Sequence, residues 1–399
     1  MDTAKILHDY LYEQPEHPVP HAGDVVHLVY PPRPGDIGVV VNTAADDVAT
    51  FTVAVPADLM TEAVNDACAA LVRSTGGSAS SAGTVAALRE SMGERAFDER
   101  IGNMVRLQFL SVAVMRTRVL PFLAPRILSS GAYRDGHDYS FQAQVTLRPS
   151  AELTDYSPAR VSLPEPVEVS DRDVNGRIGE LMGGEVPWEE VGEAQPGSSL
   201  ARMRDEVRGQ LEAKARDEWR NACAEACADA LAPRLTKTPP TCHVEMLREV
   251  MANDYAADIV DGGQDWDEYV ARPEFDMEEF KARMTEMALT SLRRGMVLDA
   301  VAERAGVTLS EAEVRDAVGL VARGHEDEAL DGMLRTCQLP QLLESTLRIK
   351  AGDLIVRQAL RAADAGEAGA AGAPGDAGDE AADAADPDAA DARPGRGEA

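Results

Sequence analysis

The chain has 399 residues, 44% apolar and 5% aromatic, enough for two or three domains and a sizeable core. Its 69 acidic and 39 basic residues leave a formal net charge of −30, which argues against the positive footprint that non-specific binding to DNA, RNA or anionic membrane needs. No run reaches the roughly 18 apolar residues of a membrane span, the start MDTAKILHDYLYEQ has no apolar signal region, and five scattered cysteines make no disulfide framework, so a reduced cytoplasmic setting is expected.

Residues 1–35, rich in Pro and His and ending in YPPRPGD, read as an irregular extension. GVVVN (38–42) and ATFTVAV (49–55) are β-branched runs on either side of AADD, the pattern of a hairpin. In PADLMTEAVNDACAALVRS the apolar Leu59, Ala63, Val64, Ala67 and Leu71 recur at three and four, which predicts a helix. The uncharged stretch STGGSASSAGTV (74–85) interrupts. A second helical stretch begins near Thr84 and runs through ALRESMG and RAFDERIGNMVRLQFLSVAVMRT. YSFQAQVTLRPSAEL (139–153) alternates apolar and polar positions and reads as a strand. This first part is therefore expected to be α+β with antiparallel strands.

VSLPEPVEVSDRDVNGRIGELM (161–182) reads as extended chain and then a short helix opening at Ser170, and GGEVPWEEVGEAQPGSS as a connector. From Ser199 the pattern is almost wholly helical. One long helix stops near Pro233, a second covers TCHVEMLREVMANDYAADIV, and a third starts at DMEEFK and closes at Gly306. Ser310 and Glu313 form a capping box for a fourth, and two more run to about Ala363. The Ala/Gly/Asp tail cannot bury enough apolar surface to offset its ordering entropy and is expected to be disordered. The division expected is an extension (1–35), an α+β domain (36–158), an extended linker (159–198), an elongated all-α domain (199–363) and a disordered acidic tail (364–399).

Chemistry-bearing patterns are few. Cys223 and Cys227 share a helix face, and Cys242-His243 follows the helix-ending prolines, so a Cys₃His zinc site is conceivable. Both helical cysteines alternate with alanine, however, and small residues four apart favour close helix packing, so no metal is assigned. His17, His21 and His27, with Glu16 and Asp24, read as a solvated arm rather than a metal site. A phosphate cradle in the Gly/Ser stretch would need a strand before it and a Lys or Arg after it, and has neither. A plain flexible connector fits there. There is no GxSxG, HExxH or dinucleotide fingerprint, so no catalytic residue and no cofactor is assigned. Seven of fourteen methionines fall between 246 and 333: Met246, Met251, Met277, Met284, Met287, Met296 and Met333. Flexible, polarizable methionine suits contact with many unrelated sequences, although spacings of three and four are also core spacings.

Four segments, in order, resemble the trigger factor family of bacterial ribosome-associated chaperones. They are FTVAVPADLMTEAVNDACAALVRS, YSFQAQVTLRPSAELTDYSPARVSLPEPVEVSDRDV, VPWEEVGEAQPGSSLARMRDEVRGQLEAK and DMEEFKARMTEMALTSLRRGMVLDAVAERAGVTLSEAEVRDAV, together within residues 38–363. The resemblance implies a cradle for unfolded or nascent polypeptide, lined in part by the methionines from Met246 to Met296; the acidic charge, the lack of an apolar span and the lack of a nucleotide motif leave no DNA, membrane or nucleotide partner expected. Two departures qualify it. Family members carry an FKBP-type prolyl isomerase domain between linker and C-terminal domain, and here LMGGEVPW (181–188) fills that place, too short for a domain of roughly 50 residues or more. Trp188 is the one aromatic there, so isomerase activity is not expected. The family also docks on the ribosome through a loop of the form Gly-Phe-Arg-x-Gly-Lys-x-Pro. Gly77 matches its first glycine, but Ser78 and Ala79 replace the aromatic and the arginine, Ser80 follows, and Ser81 and Ala82 replace the second glycine and the lysine. Serine and alanine offer neither cation nor aromatic anchor, so ribosome docking is expected to be weakened. The alternatives are a ribosome-docked factor with non-standard contacts and a scaffold for one dedicated partner.

Overall fold

The computed structural model of the protein describes residues 2–44, 47–74, 81–131, 133–134, 136–183 and 199–371. An antiparallel five-stranded sheet organises the first part. Its strands are β1 (His27–Tyr30), β2 (Gly38–Thr43), β3 (Val48–Val55), β4 (Arg126–Ser130) and β5 (Tyr139–Thr146), in the order β1-β2-β3-β5-β4. The expected hairpin is β2–β3, with Val41 opposite Phe51 and Val39 opposite Val53. Alternation then puts Val39, Val41, Phe51, Val53, Phe141, Ala143 and Val145 on the buried side. That core is completed by α2 (Ala57–Ser74) and α5 (Asn103–Thr117), whose Val105, Phe109, Leu110, Val112 and Ala113 are all buried.

Between them lie α3 (Ser81–Met92), α4 (Glu94–Phe97) and a π-helical turn, Asp98–Gly102. The second helical stretch thus starts at Ser81, not Thr84, and is broken at Gly93, whose φ of 79° suits glycine. Strand β5 ends at Thr146 rather than reaching Leu153. Past it Arg148 turns away to the Pro121 carbonyl and to Glu344, and Pro149 has no N–H for a ladder. β4 escapes the alternation rule because it is an exposed edge strand with a register shift between Ile127 and Ser129.

The expected irregular extension over 1–35 is a correction. Residues Thr3–Tyr12 form a helix, α1, capped by the Asp2 side chain, and His27–Tyr30 pair with β2. Leu7 is buried, with Ile6, Tyr10 and Leu11 packed against the same core. The prolines that suggested irregularity lie at 15, 18 and 20, between the two elements.

The second part is wholly helical, as expected. It consists of α6 (Asp171–Met182), α7 (Ser199–Leu231), α8 (Thr241–Asp261), α9 (Trp266–Val270), α10 (Met277–Ala305), α11 (Glu311–Gly319), α12 (Glu326–Arg335) and α13 (Leu339–Ala371). The boundaries follow the local chemistry read from the sequence: the helix start at Ser170, the capping box at Ser310, and Gly306 left-handed at the end of α10; the structure adds a capping box at Ser170, closed by Asp173. The backbone of α13 continues past Ala363 to Ala371, and residues 372–399 lie outside the described set. Helices α7, α10 and α13 share one core around Cys223, Cys227, Val297, Val301, Ala351 and Ile355. Leu309, Val314, Val318, Leu330, Leu334, Leu339 and Leu343, from α11 to α13 and the turn before α11, join the core of the sheet region instead. Helix α1 lies at that junction. Thr3 Oγ1 donates to Asp331 (2.6 Å), the Glu311 amide donates to the Tyr12 hydroxyl (3.2 Å), and the Arg118 guanidinium sits 5.3 Å from the Tyr10 ring.

Candidate functional site

Helices α8 and α10 pack side by side and form an arm. Val244, early in α8, shares a small core with Leu292, midway along α10, while Tyr255 meets Phe280 at the start of α10. The pair is therefore antiparallel, and α9 caps the far end. Phe122 packs into the base of the arm, which ties it to the sheet region.

The tip gathers five aromatic rings of the chain's eighteen, which makes it the richest aromatic site among the described residues. Tyr255 and Phe280 lie 5.3 Å apart, Phe275 and Phe280 5.5 Å, and Trp266 stacks on Tyr269 at 5.9 Å. The Tyr255 and Tyr269 hydroxyls are 2.8 Å apart, and this hydrogen bond is the first cause of the raised Tyr269 pKa. Around these rings residues 254–283 carry ten carboxylates against three cations; Arg272 lies 4.7 Å over Tyr269, and Arg283 lies 5.9 Å from the Tyr255 ring and 6.0 Å from that of Phe280. Two of the acids, Asp265 and Asp276, are spent as helix N-caps. The rest leave the tip a strongly negative surface with π-faces inside it, a combination that attracts cationic and aromatic groups. The sequence reading missed this cluster. Its signal was the run WDEYVARPEF, where aromatics recur among acids.

The methionines divide. Met277 and Met287 are 40% and 49% exposed on α10, with Val260 exposed at the end of α8. Met246 and Met251 are half-buried. Met284 and Met296 are buried, 3% and 2% exposed, so as contact residues they are a correction: their spacing put them on the face of α10 that packs inward. Met333, half-buried, packs on the sheet-region core. Outside the arm, Leu320 and Val321, in the turn after α11, are the most exposed of the large aliphatics described.

Gly77, Ser78, Ala79 and Ser80 of the Gly/Ser loop lie outside the described residues, and Ser81 and Ala82 fall in the first turn of α3. The conceivable Cys₃His set does not assemble. Cys223 and Cys227 are buried in the α7–α10–α13 core, where burial pushes the Cys227 thiol up to about 11. Their alanine neighbours serve the close packing anticipated: a Cβ on Gly352 of α13 would stand 3.0 Å from Ala224 Cβ of α7. Cys242 and His243 instead meet Asp47, and this is the one cluster of metal-ligand type among the described residues. In the Pro/His segment, His17 contacts the Val29 carbonyl and His27 the Asn42 side chain.

A cleft of about 350 Å³ lies where the two parts meet, lined by Arg118, Arg148, Asp299 and Glu344 among others. Burial raises the Glu344 pKa and lowers that of Arg148, while they pair with each other. Burial also opposes the charge on Arg348, but its bonds to Asp299 (2.6 and 2.8 Å) outweigh this and raise its pKa. This is a structural junction of paired charges rather than an acid–base site. Among the described residues no helix is long and apolar enough to cross a membrane.

Two family models match the chain. One, described as "Bacterial trigger factor protein (TF)", covers residues 38–181, and the other, "Bacterial trigger factor protein (TF) C-terminus", covers 199–357. Among curated proteins, "Trigger factor" of Deinococcus deserti is 29% identical over 129 residues, 32% of this chain and 30% of that protein. "Trigger factor" of Deinococcus radiodurans is 29% identical over 117 residues, 29% of this chain and 25% of that one. "Trigger factor" of Lysinibacillus sphaericus is 36% identical over 70 residues, 18% and 16%. The chain thus spans less than a third of the length of these relatives. A solved structure described as "Promiscuous Substrate Recognition in Folding and Assembly Activities of the Trigger Factor Chaperone" covers 80% of this chain and 99% of its own, at 12% identity and a TM-score of 0.33.

Proposed function

The chain belongs to the trigger factor family, and from that membership together with its arm we propose that it is an ATP-independent holdase for unfolded or nascent polypeptide. The observation that carries the reading is the α8–α10 arm, which presents Met277, Met287 and Val260 beside an aromatic, acidic tip. Client segments would be held by many weak apolar contacts, each worth little, so binding is reversible without nucleotide. The negative tip biases the choice toward basic or aromatic segments.

On this reading residues 36–158 form the domain that in the family faces the ribosome, 159–198 the linker and 199–363 the chaperone domain, in a cytoplasmic protein. Docking on ribosomes is weakened, because Ser78, Ala79 and Ala82 supply no aromatic and no cation. Prolyl isomerase activity is not part of the proposal. Only residues 182–198 separate the two family matches, fewer than the roughly 50 a domain requires.

The test is light scattering of a chemically unfolded model protein diluted with and without this chain, with no ribosomes and no nucleotide. Suppressed aggregation at near-equal molar ratio supports the holdase, and unchanged scattering refutes it. Repeating the assay with a basic client at rising salt separates the electrostatic part, which must weaken as charges are screened.

A further inference from the structure

We infer that Asp47, Cys242 and His243 form a solvent-open site for one divalent cation of the zinc class, clipping the β2–β3 turn to the first turn of α8. The three residues come from opposite parts of the fold, yet their ligand atoms lie within 4.8 Å of one another. Cys242 Sγ is 3.4 Å from His243 Nδ1 and 3.9 Å from Asp47 Oδ2, and His243 Nδ1 is 3.9 Å from that same oxygen. A tetrahedral zinc with Zn–S about 2.3 Å and Zn–N or Zn–O about 2.0 Å sets S···N and S···O at about 3.5 Å and N···O at about 3.3 Å. The triangle present needs to close by about 0.4 Å between sulfur and oxygen and about 0.6 Å between nitrogen and oxygen.

The imidazole is already prepared. His243 is fully buried, and its Nε2 lies 2.7 Å from the Leu147 carbonyl. A carbonyl only accepts, so Nε2 carries the proton and the Nδ1 lone pair faces Cys242 and Asp47. A backbone acceptor behind the metal-binding imidazole is the usual outer support of such a ligand. Phe122 packs edge-on to the ring at 4.7 Å and fixes its plane. Leu147 holds the other side too. Its amide donates to the Asp47 carbonyl at 2.8 Å, so one residue orients two ligands. Asp47 is kept at φ 62°, a left-handed conformation that a residue with a Cβ adopts at a cost.

Thiolate, imidazole and carboxylate together suit zinc better than magnesium or calcium, which take oxygen alone. Exposed Cys242 leaves the fourth position to water. The thiol proton passes to solvent as the cation enters. Binding would stiffen the contact between sheet and arm, and the inference stands whether or not the chain is a holdase.

The test uses the full chain, stripped with a chelator and titrated with Zn²⁺ against a chromophoric competitor in excess Mg²⁺, which occupies oxygen-only sites on so acidic a protein. One tight site per chain is expected. Cys242→Ser and Asp47→Asn should each weaken it at least as much as the ten- to hundredfold that losing an outer partner costs. Co²⁺ should give a thiolate-to-metal absorption band that Cys242→Ser abolishes. Zn²⁺ should raise the melting temperature of the parent and not of Cys242→Ser. His243→Ala is avoided, because that buried ring supports the fold. Equal Zn²⁺ affinity in the parent and Cys242→Ser, or a cobalt spectrum without the thiolate band, overturns the inference.

Discussion

Replacing Leu7 by Ala tests whether α1 holds the sheet region to α11 and α12. Leu7 is the one fully buried side chain of α1, 1% exposed, and its neighbours Ile6, Tyr10 and Leu11 are only half-covered. Truncating a buried leucine costs about 2–5 kcal/mol. A helix of ten residues is marginal alone in water, so α1 stays helical only while docked. The loss should therefore appear first as local opening. At about 1.4 kcal/mol per tenfold, even 2 kcal/mol raises the undocked population roughly thirtyfold. The assay is hydrogen exchange by mass spectrometry. Peptides over 3–12 should exchange at least roughly thirtyfold faster in Leu7→Ala, while α7 and the central strand β3 keep parental rates. Parental exchange over 3–12 would show that α1 is held by its polar links, Thr3–Asp331 and Tyr12–Glu311, and would refute the apolar argument.

Three further outcomes follow from single contacts. The Glu313 carboxylate accepts from Lys350 Nζ and from the Ser310 amide and hydroxyl, which hold its pKa down to about 2. Because the folded pKa lies below the unfolded one, this stabilisation is full above about pH 4.5 and is lost as pH falls toward about 2. Solvent screening of a carboxylate 39% exposed leaves about 1 kcal/mol, and urea unfolding of Glu313→Gln should lose that amount at pH 7 and show a flatter acid limb. Gly352→Val should drive α13 off Ala224 and destabilise by about 1–3 kcal/mol in the same assay, with no change refuting the close crossing. Met277→Ser with Met287→Ser should leave the melting temperature within about 2 °C, as exposed changes do, yet raise the chaperone ratio needed to suppress scattering; an unaltered ratio removes these two residues from the client surface.

What could be read from the sequence was local. The helix start at Ser170, the capping box at Ser310 and the glycine closing α10 sit where their chemistry placed them, because each is decided within four or five residues. The β2–β3 hairpin followed for the same reason. Helix α1 escaped because its apolar residues are followed by a proline-rich stretch, and what stabilises it lies some 300 residues away in α11 and α12. The exposed and buried methionines of α10 could not be separated by period alone, since which face turns inward depends on α8. Of the Asp47, Cys242 and His243 cluster only the Cys-His pair was visible; the aspartate is 195 positions away.

The point where the two family matches meet shows how the fold can dispense with an intervening domain. Helix α6 ends the first match and α7 begins the second. They pack on each other directly: Val174 and Ile178 of α6 are fully buried against Val207 of α7, with Val169, Leu200 and Leu211 around them. Asp171, in the first turn of α6, pairs with Arg204 at 2.9 Å and also with Arg208, one turn apart on α7. The carboxylate thus sits at the positive end of its own helix and against two guanidiniums of the next. This small core, separate from the two larger ones, packs α6 on α7. Helix α7 carries on into the core it shares with α10 at the root of the arm. The arm is therefore positioned by contacts present in this chain, so the proposed client-binding role needs no domain between the two matches.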